Sequence, residues 1–386
     1  MPTWTVHLEG GPRRVNHAAI AVGEKVYSFG GYCTGDDYEN TRPIDVHVLN
    51  TVSFRWCKLP LPDNYHFNES TNIPYQRYGH TAVPYKDCAY IWGGRNDKDG
   101  ACAVLFRFDT DTLTWSRMKV EGEVPGARDG HSACVVGDKM YIFGGYEEEI
   151  DRFSNDIHYL DFTTWTWSGM IHVKGKPAMW RDFHTASTIG NTVYIFGGRS
   201  DVGGNQFTNR EIYENIIYTF NTLTNTWDYV LTRGRKPIGR RSHSTFEVDG
   251  CLYVFGGYNG LMDEHFADLF KFDPVRREWS IVLANGEGPC PRRRQCCCVI
   301  GSRVFLFGGT SPGGRRNELG PTSEQDLVDH SDLHVLDFSP SLKTLCLLAT
   351  LEHKLDSSCL PQNLRWELKA MTTNNTITRS LNNTSG

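Results

Sequence analysis

Residues 128–146 read RDGHSACVVGDKMYIFGGY: an Arg, a His three residues later, an apolar run, a turn, a second apolar run and a Gly-Gly pair. The same frame returns along the chain. Gly pairs stand at Gly30-Gly31, Gly93-Gly94, Gly144-Gly145, Gly197-Gly198, Gly256-Gly257 and Gly308-Gly309. Thirteen residues before the first Gly of each pair lie His17, His80, His131, His184, His243 and, as the exception, Gln295. Sixteen residues before it lies an Arg in all six copies: Arg14, Arg77, Arg128, Arg181, Arg240 and Arg292. Chance does not hold two offsets fixed over six copies. A unit of roughly fifty to sixty residues marked by Gly-Gly implies stacked supersecondary modules, and the fold class expected is all-β, a six-bladed β-propeller.

Composition agrees. With 386 residues, 39% of them hydrophobic, the chain can bury a large core in one closed assembly. Its 38 Gly residues and 12% aromatics suit many short strands joined by turns. A net charge of −5 offers no basic field for nucleic acid or an anionic membrane. Mean hydropathy is −0.44, and no apolar run approaches a membrane span. The N-terminal MPTWTVHLEGG lacks the basic and apolar regions of a signal peptide. A cytoplasmic or nuclear location with reduced thiols is therefore expected for the twelve Cys. Cys296, Cys297 and Cys298 share one strand, so their side chains alternate faces and cannot jointly ligate a metal; packing is their expected role.

Each copy predicts strand a (His17 to Val22 in the first), a turn, strand b (Lys25 to Phe29), Gly-Gly, a variable loop, strand c (Asp45 to Leu49) and a strand d carrying a Trp. Those tryptophans are Trp56, Trp115, Trp167, Trp227 and Trp279. None follows the last strand c, His334 to Phe338. The missing strand is found at the other end of the chain, where Thr3-Trp4-Thr5 through Glu9-Gly10 resembles Thr114-Trp115-Ser116 through Glu121-Gly122. The N-terminal strand is thus expected to complete the last blade and close the ring, which removes open sheet edges.

The repeated Gly pairs, Arg and His residues are expected to be structural, since a residue present in every blade ties blades together. Function is expected where copies differ. The two positions after the repeated Arg read Val15-Asn16, Tyr78-Gly79, Asp129-Gly130, Asp182-Phe183, Arg241-Ser242 and Arg293-Arg294. The residue after Gly-Gly reads Tyr32, Arg95, Tyr146, Arg199, Tyr258 and Thr310. In a propeller these positions gather at the channel mouth. One sector then carries Arg199, Arg241, Arg293 and Arg294, a neighbouring one Asp129 and Asp182, with Tyr146, Phe183, Tyr258 and Trp180 as walls. Clustered guanidinium forks without balancing acid suit a carboxylate or phosphate, and adjacent carboxylates suit a cation on the same ligand. The plainer alternative is that these Arg and Asp residues pair with each other. No phosphate loop, nucleophile elbow or metal-spaced His/Cys set is present, so neither catalysis, cofactor nor metal is expected.

After Phe338 the repeat stops. Leu342, Leu345, Cys346 and Ala349 fall at i, i+3, i+4 and i+7, one face of a helix, which either packs on the propeller or is offered to a partner's groove. Leu360-Pro361-Gln362-Asn363-Leu364 follows a short linker, and a tail from Thr372 to Gly386, rich in Asn, Thr and Ser, is expected to be disordered. The expected division is residues 1–338, 339–371 and 372–386.

Residues 1–338 resemble the kelch-repeat family, on strings such as WTVHLEGGPRRVNHAA (4–19), GARDGHSAC (126–134), GRRSHS (239–244), CPRRRQCCC (290–298) and HSDLHVLDFSPSLKTLC (330–346). Residues 341–350 are similar to an elongin-binding box, with Leu342 and Cys346 matching and Thr350 departing from the final apolar position. Leu360-Pro361-x-x-Leu364 is similar to a cullin-2 box. The resemblance implies a non-catalytic substrate receptor of a cullin-2 RING ubiquitin ligase, partnered by elongin B/C and cullin-2, that reads proteins ending in glycine. In the relative that reads diglycine ends, the carboxylate is held by residues matching Arg199, Arg241 and Ser242, although that relative has Ser and Trp at the last two, so the pocket shape must differ. Arg293, Arg294, Tyr146 and Tyr258 are expected to complete the pocket. Asp129 and Asp182, with Phe183 and Trp180, would favour Arg or Lys before the terminal Gly. The chain itself ends Thr384-Ser385-Gly386 on fifteen tail residues that reach ~50 Å when extended, so self-association through Gly386 is also expected. The competing expectation is a kelch scaffold for cytoskeletal or chromatin partners without ubiquitin transfer.

Overall fold

The computed structural model describes residues 1–35, 41–62, 65, 66, 68, 71–313 and 327–377. Each repeat forms an antiparallel four-stranded sheet in chain order. In the third repeat the strands are Ser132–Val136, Lys139–Phe143, Ile157–Asp161 and Thr166–Ser168. The innermost strand of each sheet packs beside that of the next, and the sixth returns to the first, so six blades surround a channel. The sixth blade is Cys296–Ile300, Arg303–Phe307, Leu333–Asp337 and, outermost, Thr3–Leu8 from the N-terminus. The register Thr3↔Asp337 through Leu8↔Leu333 closes the ring as the repeat frame predicts.

The core lies between blades. Strands are pleated, so alternate residues of one strand face opposite neighbours. Met140 and Ile142 pack with Val83, Tyr90 and Trp92 of the second blade, whereas Tyr141 and Phe143 pack with Val193, Ile195 and Trp227 of the fourth. The tryptophans repeat one contact around the ring. Each strand d Trp meets the aromatic that precedes Gly-Gly in the blade before it: Trp115–Phe29, Trp167–Trp92, Trp227–Phe143, Trp279–Phe196 and Trp56–Phe307, at centroid distances of 4.9–5.7 Å. Trp4 completes the series on Phe255 at 6.2 Å.

The six conserved-frame arginines are buried. In five blades an Nη1–H donates to the carbonyl of the first Gly of the same blade, at 2.8–3.2 Å. Arg14 instead binds Cys33 Sγ and Asp45. Most also carry an acid from the loop before strand c, as Arg181 does with Glu214 and Arg292 with Asp332. The Gly pair sits where side chains have no room: a Cβ at Gly144 would lie 2.9 Å from Arg181 O, and one at Gly145 2.8 Å from Asp129 O, with φ of +66° and +95°. The histidines cross between blades. His80 Nε2 meets Phe29 O at 3.1 Å, and His131, His184 and His243 meet Thr81, Ser132 and Thr185 hydroxyls of the preceding blade at 2.7–2.9 Å. Gln295 does the same work with Phe255 O and Ser244. The structural role expected for the repeated Arg, His and Gly is what these contacts show.

After the propeller the single helical segment expected becomes two helices, α1 (Leu342–Glu352), capped by Ser341, and α2 (Gln362–Thr372). Leu347, Leu368, Ala370 and Met371 join Val6, Leu8, Leu49 and Trp56 in one cluster over the seam between the last and first blades. The tail expected to begin at Thr372 is held for longer than the composition suggests. Thr372 is helical, Asn375 N–H donates to Glu9 O at 2.8 Å and Ile377 N–H to Gly10 O at 2.9 Å. Residues 378–386, with Gly386, lie outside the described residues.

Burial lowers the pKa of the five inter-blade histidines, to about 3 for His17, His80 and His243 and well below the ordinary value for His131 and His184. The folded chain keeps them neutral while the unfolded chain takes up protons below pH ~6.5. Stability is therefore complete above that pH and falls as pH drops toward about 3, by up to about 1.4 kcal/mol per pH unit for each His. Calorimetric melting should show a Tm that falls from pH 7 to pH 5. His184→Gln, which copies Gln295, should melt with a shallower pH dependence.

Candidate functional site

A closed belt of backbone hydrogen bonds floors the channel mouth. Asn16 N–H donates to Arg294 O, Arg294 to Ser242, Ser242 to Phe183, Phe183 to Gly130, Gly130 to Gly79 and Gly79 back to Asn16, at 2.7–3.2 Å. All six residues hold a left-handed φ between 50° and 66°. For Phe183, Ser242 and Arg294 that conformation costs on the order of 1–2 kcal/mol each, which the belt and the packing around it offset. A cavity of about 120 Å³ opens over the belt, lined by the same six residues with the histidine ring beneath.

Directly above, the residue after each repeated Arg pairs with the residue after Gly-Gly: Val15 with Tyr32, Tyr78 with Arg95, Asp129 with Tyr146, Asp182 with Arg199, Arg241 with Tyr258 and Arg293 with Thr310. The structure thus brings together the positions that the repeat frame singled out. Their pairing differs from expectation. Asp182, 1% exposed, grips Arg199 through two bonds of 3.1 and 2.5 Å. Arg199 is further enclosed by Phe153 and Phe207, 5.3 and 5.2 Å from its guanidinium carbon. The acid said to be lacking is Glu211, which takes Arg241 Nη1 at 3.1 Å, the Tyr213 hydroxyl at 2.5 Å and Arg199 Nη1 at 3.5 Å. Arg199 and Asp182 therefore spend their charge on each other, and Asp182 is not presented to a ligand. Glu211, Tyr213, Phe153 and Phe207 come from variable loops outside the frame, so no offset in the sequence marked them.

In the fifth and sixth blades the mouth arginines lie against aromatic rings. Arg293 lies over the Tyr258 ring, 4.4 Å from its centroid, and Arg241 reaches the same ring at 5.5 Å. Arg294 Nη1 donates to the Tyr32 hydroxyl. The Tyr258 hydroxyl is anchored on Asp263 at 2.9 Å and that of Tyr146 on Asp151. Trp180 is exposed beside Gly204, away from the residues lining the channel cavity. Asp129 is buried, and its carboxylate has no hydrogen-bond or ion-pair partner among the described residues. Burial first, and the neighbouring Asp182 carboxylate second, push its carboxyl up to about 7. A buried carboxyl displaced in this way by desolvation and a like charge is a candidate functional group.

Outside the mouth, α1 turns the face of Leu342, Leu345 and Cys346 to solvent, with Leu342 77% exposed, while Leu347 is buried and Leu348 and Leu351 pack on the propeller cluster. Ala349 is half-buried. Leu360 and Leu364 pack against the chain's own core, and Pro361 is exposed.

The sequence matches the KLHDC2/KLHL20/DRC7 Kelch-repeats domain over residues 79–309 and the Kelch motif over residues 13–60. It is 58% identical over 381 residues to Kelch domain-containing protein 3 of Bos taurus and 57% identical to that of Homo sapiens, each alignment spanning 99% of both chains. Host cell factor 2 of Homo sapiens is 30% identical over 265 residues, 64% of this chain and 32% of that protein. With its six-bladed repeat and these matches, the chain belongs to the kelch-repeat family, whose propellers are interaction domains.

Proposed function

We propose that the chain is the substrate-recognition subunit of a cullin-2 RING ubiquitin ligase, and that its mouth binds protein C-termini ending in glycine, directing the bearer to proteasomal degradation. The observation that carries this reading is the polarised mouth. Arg241 and Arg293 lie over Tyr258 and Arg294 over Tyr32, with Glu211 on Arg241, while the Asp129 carboxylate, without a hydrogen-bond or ion-pair partner among the described residues, lies in the third blade. A terminal glycine carries a carboxylate and no side chain, so it fits a narrow pocket floored by backbone. Guanidinium groups suit the carboxylate, and Asp129 suits Arg or Lys in the preceding position. Arg199 acts as a wall held by Asp182, and the selecting acid is Asp129 alone. The outward apolar face of α1 supports docking of an elongin B/C adaptor; of the segment assigned to cullin-2, Leu360 and Leu364 are taken up by the chain's own core, which leaves Pro361 exposed for it. The pairing of Arg199 with Asp182 and Glu211 favours the second reading, a kelch scaffold whose mouth satisfies itself and which binds a protein surface elsewhere.

Fluorescence anisotropy with a peptide ending in Arg-Gly separates the two. The free acid should bind the purified chain, and the amidated peptide and the Arg241→Ala variant should each lose at least tenfold in affinity, about the 1.4 kcal/mol of one charge-assisted hydrogen bond. Equal binding of acid and amide points to the scaffold. Because Asp129 gives up its proton near pH 7, the preference for Arg-Gly over Glu-Gly should grow from pH 6 to pH 8, and Asp129→Asn should abolish that growth.

Elongin B/C capture tests the helix. Leu342→Asp should reduce capture at least tenfold, the scale of losing one apolar anchor, with propeller melting unchanged because Leu342 is exposed. Undiminished capture would remove the adaptor from the reading.

A further inference from the structure

The strand that closes the ring carries a cluster that the mouth does not use. His7 on the N-terminal strand stands directly opposite His334 on the last blade, and their rings stack at 4.2 Å and 16°. Each ring has a carboxylate at its Nε2, Asp332 at 3.1 Å from His334 and Glu9 at 3.2 Å from His7. One donor atom from each of His7, Asp332 and His334 lies within 4.8 Å of the others. Asp332 and His334 are buried, while His7 is exposed and open to a cleft of about 450 Å³. Bonds of about 2.0–2.1 Å to a tetrahedral ion place neighbouring donors a little over 3 Å apart, which is the spacing of Asp332 and His334, and the His7 donor lies within 4.8 Å of both.

Asp332 is aligned from behind by Arg292, at 2.6 and 2.7 Å. His334 is fixed by Trp4, edge-on at 5.9 Å, and its Nδ1 is buried without a partner. Two buried donors are thus held in place, and the exposed His7 ring, with Glu9 beside it, has the freedom to turn onto an ion. Imidazole with carboxylate suits a zinc-class divalent cation rather than magnesium or calcium, which prefer all-oxygen sites.

We propose that His7, Asp332 and His334 form a three-donor binding site for a zinc-class ion that clamps the N-terminal strand onto the last blade, with water completing the coordination. The ion takes the place of the proton between His334 and Asp332 and joins the N-terminal strand to the last blade across a seam that is otherwise noncovalent. The positive Arg292 beside Asp332 opposes the ion, so its affinity falls below that of an all-thiolate structural zinc site. The site is independent of what the mouth binds.

The test uses the full chain, reduced with a phosphine, titrated with zinc chloride by calorimetry and melted with and without the metal. Wild-type protein should bind one ion and melt higher with zinc but not with magnesium. His7→Gln should weaken binding at least tenfold, since even the loss of a partner that only orients a ligand costs about that much, and lose the zinc-dependent shift while melting normally without metal. Cys290→Ser should keep both responses, which separates the site from the thiol in the same cleft. No stabilisation of the wild type, equal stabilisation of His7→Gln, or loss confined to Cys290→Ser would overturn the proposal.

Discussion

Six backbone hydrogen bonds that run head to tail around the channel hold the geometry on which the mouth depends. Each belt residue donates to the one in the blade before it, so no blade can rotate without opening a neighbour's bond. One such bond contributes only about 1 kcal/mol, but a cyclic set cannot be lost piecemeal without leaving buried polar groups unpaired. The belt also forces a left-handed φ on residues as bulky as Phe183 and Arg294. This backbone directs whatever follows the repeated Arg toward the mouth. The scaffold is thus the same in every blade, and the chemistry differs in every blade.

The belt requires a closed ring, and closure rests on the seam where the chain's two ends meet. The N-terminal strand pairs with Leu333–Asp337, and Trp4 makes the same contact on Phe255 that the other five tryptophans make on theirs. Over that seam lie both C-terminal helices, then Asn375 and Ile377 on the backbone of Glu9 and Gly10. The helices are therefore part of what keeps the ring shut. Their orientation follows from it: burying Leu347, Leu368 and Met371 against the seam leaves Leu342, Leu345 and Cys346 facing outward.

The mouth shows how far pattern alone carries. Asp129, Arg241, Arg293 and Arg294 were legible because an offset from a repeated Arg places them, and the structure finds them where the offset says. The pairing of Asp182 with Arg199 was not legible, although both sit on the frame. Nor was Glu211, the counter-charge of Arg241, because it comes from the hairpin between strands b and c, whose length and residues differ from blade to blade. The same holds for the two apolar faces of α1. The i, i+3, i+4 pattern of Leu342, Leu345 and Cys346 is correct as a face, but Leu347, Leu348 and Leu351 form another, and a helix apolar on both sides does not announce which one it buries.

The number of blades, the strand order within each, the residues that tie neighbours together and the strand that closes the ring are all readable from the sequence. These follow from contacts made six times over, and a repeated contact leaves a repeated residue at a fixed offset. The folded chain alone reveals which charges at the mouth pair with each other, that the Asp129 carboxylate keeps no partner among the described residues, which side of α1 faces outward, and that His7 meets Asp332 and His334 across the seam. Each of these is a contact made once, between segments far apart in the chain, and a contact made once leaves no period in the sequence to read.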